Sequence, residues 1–305
     1  MVLTVATCQF PTCGDIGANL RHVLAQLTEA AEHGADVAHF PEACLSGYAG
    51  ADVASHDGCD WALLASAMRS VQAAAACRRL WVVLGSAHRL SGGSKPHNSL
   101  YVINGEGRVV DRYDKRFCSG DASGTTGDLA HYTPGNHPCV WDIGGVRCGA
   151  LICVDCRYPE LYRDYKRRGV QLVFHSFHAG HIRPDRWAAM EAAVGAANHA
   201  LNPATTLPGI TQPAAMHAAA GANHVWISCP NSCAPRSCWP SFLVRPDGVV
   251  TGRLLPHKPG VLLSVLDIGQ ALYDSTVAWR GRAMEGTLHS GTLTDDPRSA
   301  DRTIV

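Results

Sequence analysis

Three polar residues close apolar runs in this sequence, and their types could do acyl-transfer chemistry together. Cys153 ends the run Gly149-Ala-Leu-Ile-Cys153, which stops at the polar Asp155. Pro159 and Glu160 then open a helical stretch that runs to Gly169. Proline suits a first helical position, and Glu160 suits the positive end of the helix dipole. A thiol at a strand end, just before a helix N-terminus, sits where the thiolate is favoured, and the thiolate is the nucleophile. A cysteine in such a strand can equally be a structural thiol, and this segment alone leaves both readings open. Glu42 follows Val37-Ala38-His39-Phe40-Pro41, and Lys115 follows Val109 to Asp114. Each alone reads as a surface charge. With Cys153 they form a chemical set. A carboxylate can take the thiol proton and return it to a leaving amine. A fixed ammonium can stabilise an oxyanion.

Such a set needs strands to present it. Leu3–Phe10 alternates like a strand, and Asn19 is a good N-cap for the helical pattern that ends at Gly34. Asp36–Phe40 is a second strand, Trp61 to Arg79 an alanine-rich helix, and Leu80–Ala87 a buried strand. Ser99–Ile103 and Val109–Tyr113 flank the turn Asn104-Gly-Glu-Gly107 as a hairpin. Val140–Ile143 and Val146–Cys153 flank Gly144-Gly145 as another. Gln171–Phe177, His224–Cys229, Phe242–Arg245 and Val261–Ile268 read as strands. Arg186–His199 has helical spacing, Asn202–Pro213 with its three prolines reads as a loop, and Ala214–Ala222 as a helix. Alternating helices and strands followed by hairpins argue for layered α and β with a mixed sheet.

The chain has 305 residues, 46% hydrophobic and 17% charged, enough for a sizeable core. Its formal net charge is zero, so it has no basic excess for nucleic acid or an anionic membrane. No apolar run reaches the length of a membrane span, and the N-terminus lacks the basic start of a signal peptide. The 13 cysteines are odd in number and irregularly spaced, which points to a reducing cytoplasm rather than a disulfide framework.

The segments FPEACLSGY around Glu42, YDKRF around Lys115 and ICVDCRYPE around Cys153 resemble the three signatures of the nitrilase, or carbon–nitrogen hydrolase, superfamily. Their order and spacing match as well. ATCQF resembles that family's first strand, and HYTPG at His131–Gly135 its Pro-Gly turn. Asn231 and SFLVRPDG resemble its late strand pair. The resemblance covers about residues 2–268. It implies an α/β fold, a four-layer α-β-β-α sandwich, over residues 1–268. Residues 269–305 form a polar tail that docks on a partner subunit or is partly disordered. It implies a homodimer or larger homo-oligomer, with no cofactor and no metal. It implies Cys153 as nucleophile, Glu42 as general base, Lys115 as oxyanion partner and the Val154 N–H as second oxyanion donor. His178 falls where members often line the substrate pocket, and Tyr48 is the other substrate-binding candidate. Members often carry a second glutamate seven residues before the glycine of the Pro-Gly turn. Counting back from Gly135 gives Asp128 here, a shorter carboxylate expected to position Lys115 or substrate. Members usually have Glu-Asn where this chain has Ala222-Asn223.

The sequence also offers a metal alternative. Cys229, Cys233 and Cys238, with His217 or His224, have loose zinc-like spacing, against the plainer reading of a cysteine-rich strand end and loop. His175, His178 and His181 read as one core and two loop histidines. The expected function is a thiol amidohydrolase that cleaves a small carboxamide. An N-carbamoyl or ureido amidohydrolase, a transferase and a silent binding member are its rivals. Val154-Asp155 after the nucleophile, where nitrile-hydrolysing branches usually have Trp-Glu, favours amide over nitrile.

Overall fold

The computed structural model describes residues 1–303. Two six-stranded sheets make its centre. The first contains β1 (Val2–Gln9), β2 (Val37–His39), β3 (Trp81–His88), β4 (His97–Ile103), β5 (Val109–Asp114) and β12 (Gly260–Asp267), in the order β12-β1-β2-β3-β4-β5. The second contains β6 (Val140–Ile143), β7 (Val146–Ile152), β8 (Leu172–Ser176), β9 (Trp226–Cys229), β10 (Phe242–Val244) and β11 (Val250–Arg253), in the order β11-β10-β9-β8-β7-β6. Each sheet has three parallel strands at its centre, β1-β2-β3 and β7-β8-β9, with antiparallel strands outside them.

Strand periodicity sorts the side chains between the layers. In β1, Leu3 and Val5 join the core shared with the second sheet, whereas Ala6 and Cys8 face the helices. In β3, Val83 faces inward and Val82 and Leu84 face outward. The outer face of the first sheet is covered by α1 (Ile16–Glu32), through Val23 and Leu27, and α2 (Trp61–Arg78), through Leu64 and Val71. The second sheet is covered by α3 (Pro159–Arg167), through Tyr162 and Tyr165, and α5 (Leu207–Asn223), through Met216 and Ala220. Each fully buried side chain of this size contributes about 1.5–3 kcal/mol. The result is the four-layer α-β-β-α sandwich.

A polar chain crosses the sheet interface. Ser176 Oγ donates to the Phe40 carbonyl at 2.8 Å, so it must accept from His39 Nε2, also at 2.8 Å. His39 Nδ1 then accepts from Ser228 Oγ at 2.8 Å, which accepts from Thr7 Oγ1 at 2.7 Å. Burial, then the neighbouring His175, holds the His39 imidazole well below its ordinary pKa, so the ring is neutral as this chain requires. The chain fixes the end of β2, where Glu42 begins.

Several elements differ from the sequence reading. Asp15, not Asn19, caps α1, its carboxylate accepting from the Ala18 N–H. Asn19 lies inside the helix, and its buried amide ties down Cys13. The expected loop Asn202–Pro213 stops at Thr206. Pro208 falls in the first turn of α5, where its missing N–H costs nothing, and Pro213 lies inside the helix. The helix expected over Arg186–His199 is α4 (Pro184–Val194) plus a 3-10 turn, and none of its residues is buried. The first part of the tail lies on its own chain: Thr276 Oγ1 donates to the Ala222 carbonyl at 3.3 Å, and Arg167 donates to that of Met284. Among the described residues no helix is long and apolar enough to cross a membrane.

Candidate active site

The ends of β2, β5 and β7 bring Glu42, Lys115 and Cys153 together. Glu42 starts the loop after β2. Its N–H donates to the Phe177 carbonyl just past β8 at 3.2 Å, which couples the two sheets. Gly85 on β3 allows this loop to lie against the sheet. A Cβ there would sit 2.1 Å from the Pro41 oxygen and 2.6 Å from the Ala43 nitrogen. A glycine inside a strand marks such a close backbone approach. Gly85→Ala is therefore expected to push the Glu42 backbone out of place. The expected cost is at least about 1–3 kcal/mol of stability, together with most of any turnover. Thermal unfolding and an amide assay check it, and an unchanged melting temperature would refute this role for the glycine.

Lys115 follows β5, and its ammonium is fully buried. Its Nζ lies 2.8 Å from Glu42 Oε1 and 2.7 Å from Asp128 Oδ2. Burial opposes the charge, but Asp128 and then Glu42 outweigh it and hold the lysine well above its ordinary pKa. The same lysine holds Asp128 below the usual carboxylate range against its burial. Gly135, from the Pro-Gly turn, fits against this strand end. Its N–H donates to the Lys115 carbonyl at 2.8 Å, and a Cβ on it would lie 2.3 Å from the Asp114 oxygen. Asn98 on β4 completes the surround: its Nδ2 donates to Glu42 Oε1 at 2.8 Å. Glu42 Oε2 is buried and has no hydrogen-bond partner among the described residues.

Cys153 follows β7 at φ 46°, a left-handed conformation that costs a non-glycine residue strain. A 3-10 turn, Cys153–Arg157, separates it from α3, so the thiol is not at the helix N-terminus that the sequence suggested. Asp155 holds the turn. Its Oδ2 accepts from the Ile152 N–H at 2.9 Å and from Tyr113 Oη at 2.7 Å, and its Oδ1 accepts from the Phe117 N–H at 3.0 Å. It thereby links the turn to the segment carrying Lys115. Burial raises the Cys153 thiol well above its ordinary pKa; Glu42 adds to the effect, and Lys115 only partly offsets it. The thiol is thus protonated at rest, contrary to the local helix-end argument. Glu42 and Lys115 are fully buried, whereas Cys153 as a residue is half-buried. Val154 is the next residue of the turn, where the first N–H groups lack intrahelical acceptors.

Tyr48 and His178 stand beside this cluster. Tyr48 Oη donates to Asp128 Oδ1, and the tyrosine ring centre lies 5.9 Å from Lys115 Nζ. His178 stacks on that ring at 4.9 Å. His175 is a buried core residue that donates to the Cys153 carbonyl at 3.1 Å, and His181 is a partly exposed loop residue. Among the described residues no three Cys, His, Asp or Glu side chains converge as a metal site, and Cys229 lies in the apolar core. Ala222 closes on Arg163 and Thr276 at the tail, not on this cluster. A groove of about 1090 Å³ lined by Ile210, His217, Trp239 and Leu254 shares no residue with it.

Sequence reasoning missed Asn98 and Gly85, and it named Asp155 only as a strand stop and branch marker, not as the group that holds the turn. Only Gly85 carried a signal, a glycine inside an otherwise apolar strand.

Comparison with known proteins agrees with this architecture. An amidase from Nesterenkonia sp. superposes with a TM-score of 0.67 over 87% of this chain and 90% of that one, at 23% identity. A glutamine-dependent NAD(+) synthetase from Xylella fastidiosa is 32% identical over 173 residues, 56% of this chain but only 30% of that protein. A 2-oxoglutaramate amidase from Bacillus subtilis is 25% identical over 194 residues, covering 62% of this chain and 70% of that one. The family model described as carbon-nitrogen hydrolase matches residues 4–272, and with a match over that span the chain belongs to the carbon-nitrogen hydrolase family.

Proposed function

We propose that this protein is a thiol amidohydrolase that cleaves a small carboxamide through a Cys153 thioester. One observation carries the reading. A single buried carboxylate, Glu42, uses one oxygen to hold Lys115 and keeps the other unpartnered, within electrostatic reach of a protonated thiol. That oxygen, Oε2, takes the proton of Cys153 Sγ as the sulfur attacks the amide carbon. Lys115 has three N–H donors, and two are aimed at Glu42 and Asp128. The third, with the Val154 N–H, stabilises the oxyanion in a site where water does not screen it. Collapse of the tetrahedral intermediate expels ammonia or an amine, which takes its proton from Glu42. Water, deprotonated by the same carboxylate, then attacks the thioester and releases the acid. Asp128 serves as the second carboxylate, orienting Lys115 without touching the reacting carbon.

The names of two similar proteins, both amidases, support an amide substrate. Val154 supports it as well. A nitrile gives a thioimidate that must take up water before ammonia leaves, and its linear group needs a narrow slot. A valine after the nucleophile leaves a wider mouth, suited to a planar amide. The test presents one short acyl group as amide, nitrile and ureido derivative to the same enzyme. Ammonia release from the amide is expected to be fastest. Faster turnover of the nitrile sinks the reading, and carbon dioxide release from the ureido compound as the fastest reaction replaces the substrate class.

A further inference from the structure

We propose that Asp52 is a positioning residue of this site, holding His178 flat against Tyr48 and so setting the far end of the chain of contacts that orients Lys115. The proposal rests on Glu42, Lys115 and Cys153 being the reacting set.

The Asp52 side chain is fully buried and satisfied by three donors. Its Oδ2 accepts from the Tyr48 N–H at 2.9 Å and from His178 Nε2 at 2.9 Å, and its Oδ1 accepts from His181 Nδ1 at 2.6 Å. These donors come from two separate segments, the loop after β2 and the loop after β8. One carboxylate therefore clamps the two loops that flank the reacting groups. From His178 the contacts run inward. Its ring stacks on Tyr48 with an interplanar angle of 18°. Tyr48 Oη donates to Asp128, and Asp128 grips Lys115 at 2.7 Å. No hydrogen bond joins Asp52 or His178 to Lys115; their contacts reach it through Tyr48 and Asp128, and His178 also lies within electrostatic range of Glu42. The Asp52 backbone is itself tightly packed, since a Cβ on Gly14 would lie 2.8 Å from its carbonyl oxygen. The clamp is thus seated on a fixed loop.

The charges favour one state of the pair. Burial works against both ions, but His178 brings the Asp52 carboxyl down to about 2. Asp52, helped by Glu42, raises His178 against its burial. The groups facing His178 are Asp52, Glu42 and Tyr48 from the loop after β2, with His181 from its own loop joined through Asp52. The sign follows. A raised histidine pKa gives stabilisation that is full below the unfolded value, about 6.5, and is lost as pH rises through the folded value. The depressed Asp52 gives stabilisation lost only as pH falls towards about 2. The clamp therefore loosens as pH rises through the raised His178 value, and turnover falls with it.

The test measures kcat and KM from about pH 5 to pH 10 for the full chain, Asp52→Asn, His178→Gln and their double variant, with Cys153→Ala as control. Asp52→Asn is expected to lower kcat at least about tenfold while KM changes less. Its alkaline limb should move to lower pH, because His178 then loses its main opposing charge and keeps only the weaker pull of Glu42 against its burial. His178→Gln should lower kcat similarly and remove that limb, and it tests the clamp from the other side if Asp52→Asn folds poorly. The double variant should be no worse than the poorer single one, since both break the same clamp. A loss that is uniform with pH, or additive in the double variant, overturns the proposal while turnover still needs Cys153. Turnover that survives Cys153→Ala overturns the reacting set instead, and the proposal with it.

Discussion

Cys153→Ala is expected to abolish amide turnover, by more than about a thousandfold, while Cys156→Ala keeps most of it. The two thiols lie three residues apart in one turn, so the pair separates chemistry from packing. Cys153 follows β7 within electrostatic range of Glu42, Lys115 and Asp128, and its sulfur is the atom that would bond to the acyl carbon. Cys156 is buried in the core shared with Tyr162 and Cys229. Losing its sulfur leaves a small cavity, worth about 1 kcal/mol, and removes nothing from the reaction. Both variants should unfold within a few degrees of the parent protein. Because burial keeps the Cys153 thiol protonated, its alkylation depends on Glu42 as base. Active-site titration with a thiol reagent should therefore be slow in Glu42→Gln. If Cys156→Ala is the inactive variant, or both retain full turnover, Cys153 is not the nucleophile.

The residues proposed for the reaction were legible because each is local punctuation: a polar residue ending an apolar strand, inside a recognisable segment. Their supports were not legible, because each acts on a group far away in the chain. Asn98 meets Glu42 across 56 positions and Asp52 meets His178 across 126, distances that no periodicity reports. The thiol's protonation was misjudged for a related reason. A helix end is a local feature, but burial by both sheets decides the Cys153 pKa. In the fold, layered α and β followed from the alternation of helices and strands, and the four-layer arrangement from the family resemblance. The errors gathered where a residue type has two uses. Proline at 208 and 213 reads as a loop marker but is accommodated within α5. The strand β11, Val-Thr-Gly-Arg, is short, half exposed and broken by Gly252, so it carries little pattern to read.

Glu42→Gln and Lys115→Met are each expected to cut the rate by at least about a hundredfold, and for different reasons. Glutamine keeps the size of Glu42 and the acceptor that faces Lys115 and Asn98, but Oε2 becomes an amide that cannot take the thiol proton. Attack and ammonia release both need that proton transfer, so acylation and deacylation should slow together, and no thioester should build up. Methionine at position 115 fills the lysine volume but removes the ammonium between two carboxylates 2.8 and 2.7 Å away. Glu42 and Asp128 would then be buried without their shared cation, and breaking a buried ion pair costs about 3–5 kcal/mol. Lys115→Met should therefore lose oxyanion stabilisation and also lower the melting temperature, whereas Glu42→Gln leaves Lys115 its partner Asp128 and should unfold closer to the parent protein. Rates measured at saturating amide, with thermal unfolding beside them, distinguish the two. A near-normal rate in either variant contradicts the proposed roles, and a Lys115→Met melting temperature equal to that of the parent enzyme contradicts the part of the lysine as shared partner of the two carboxylates.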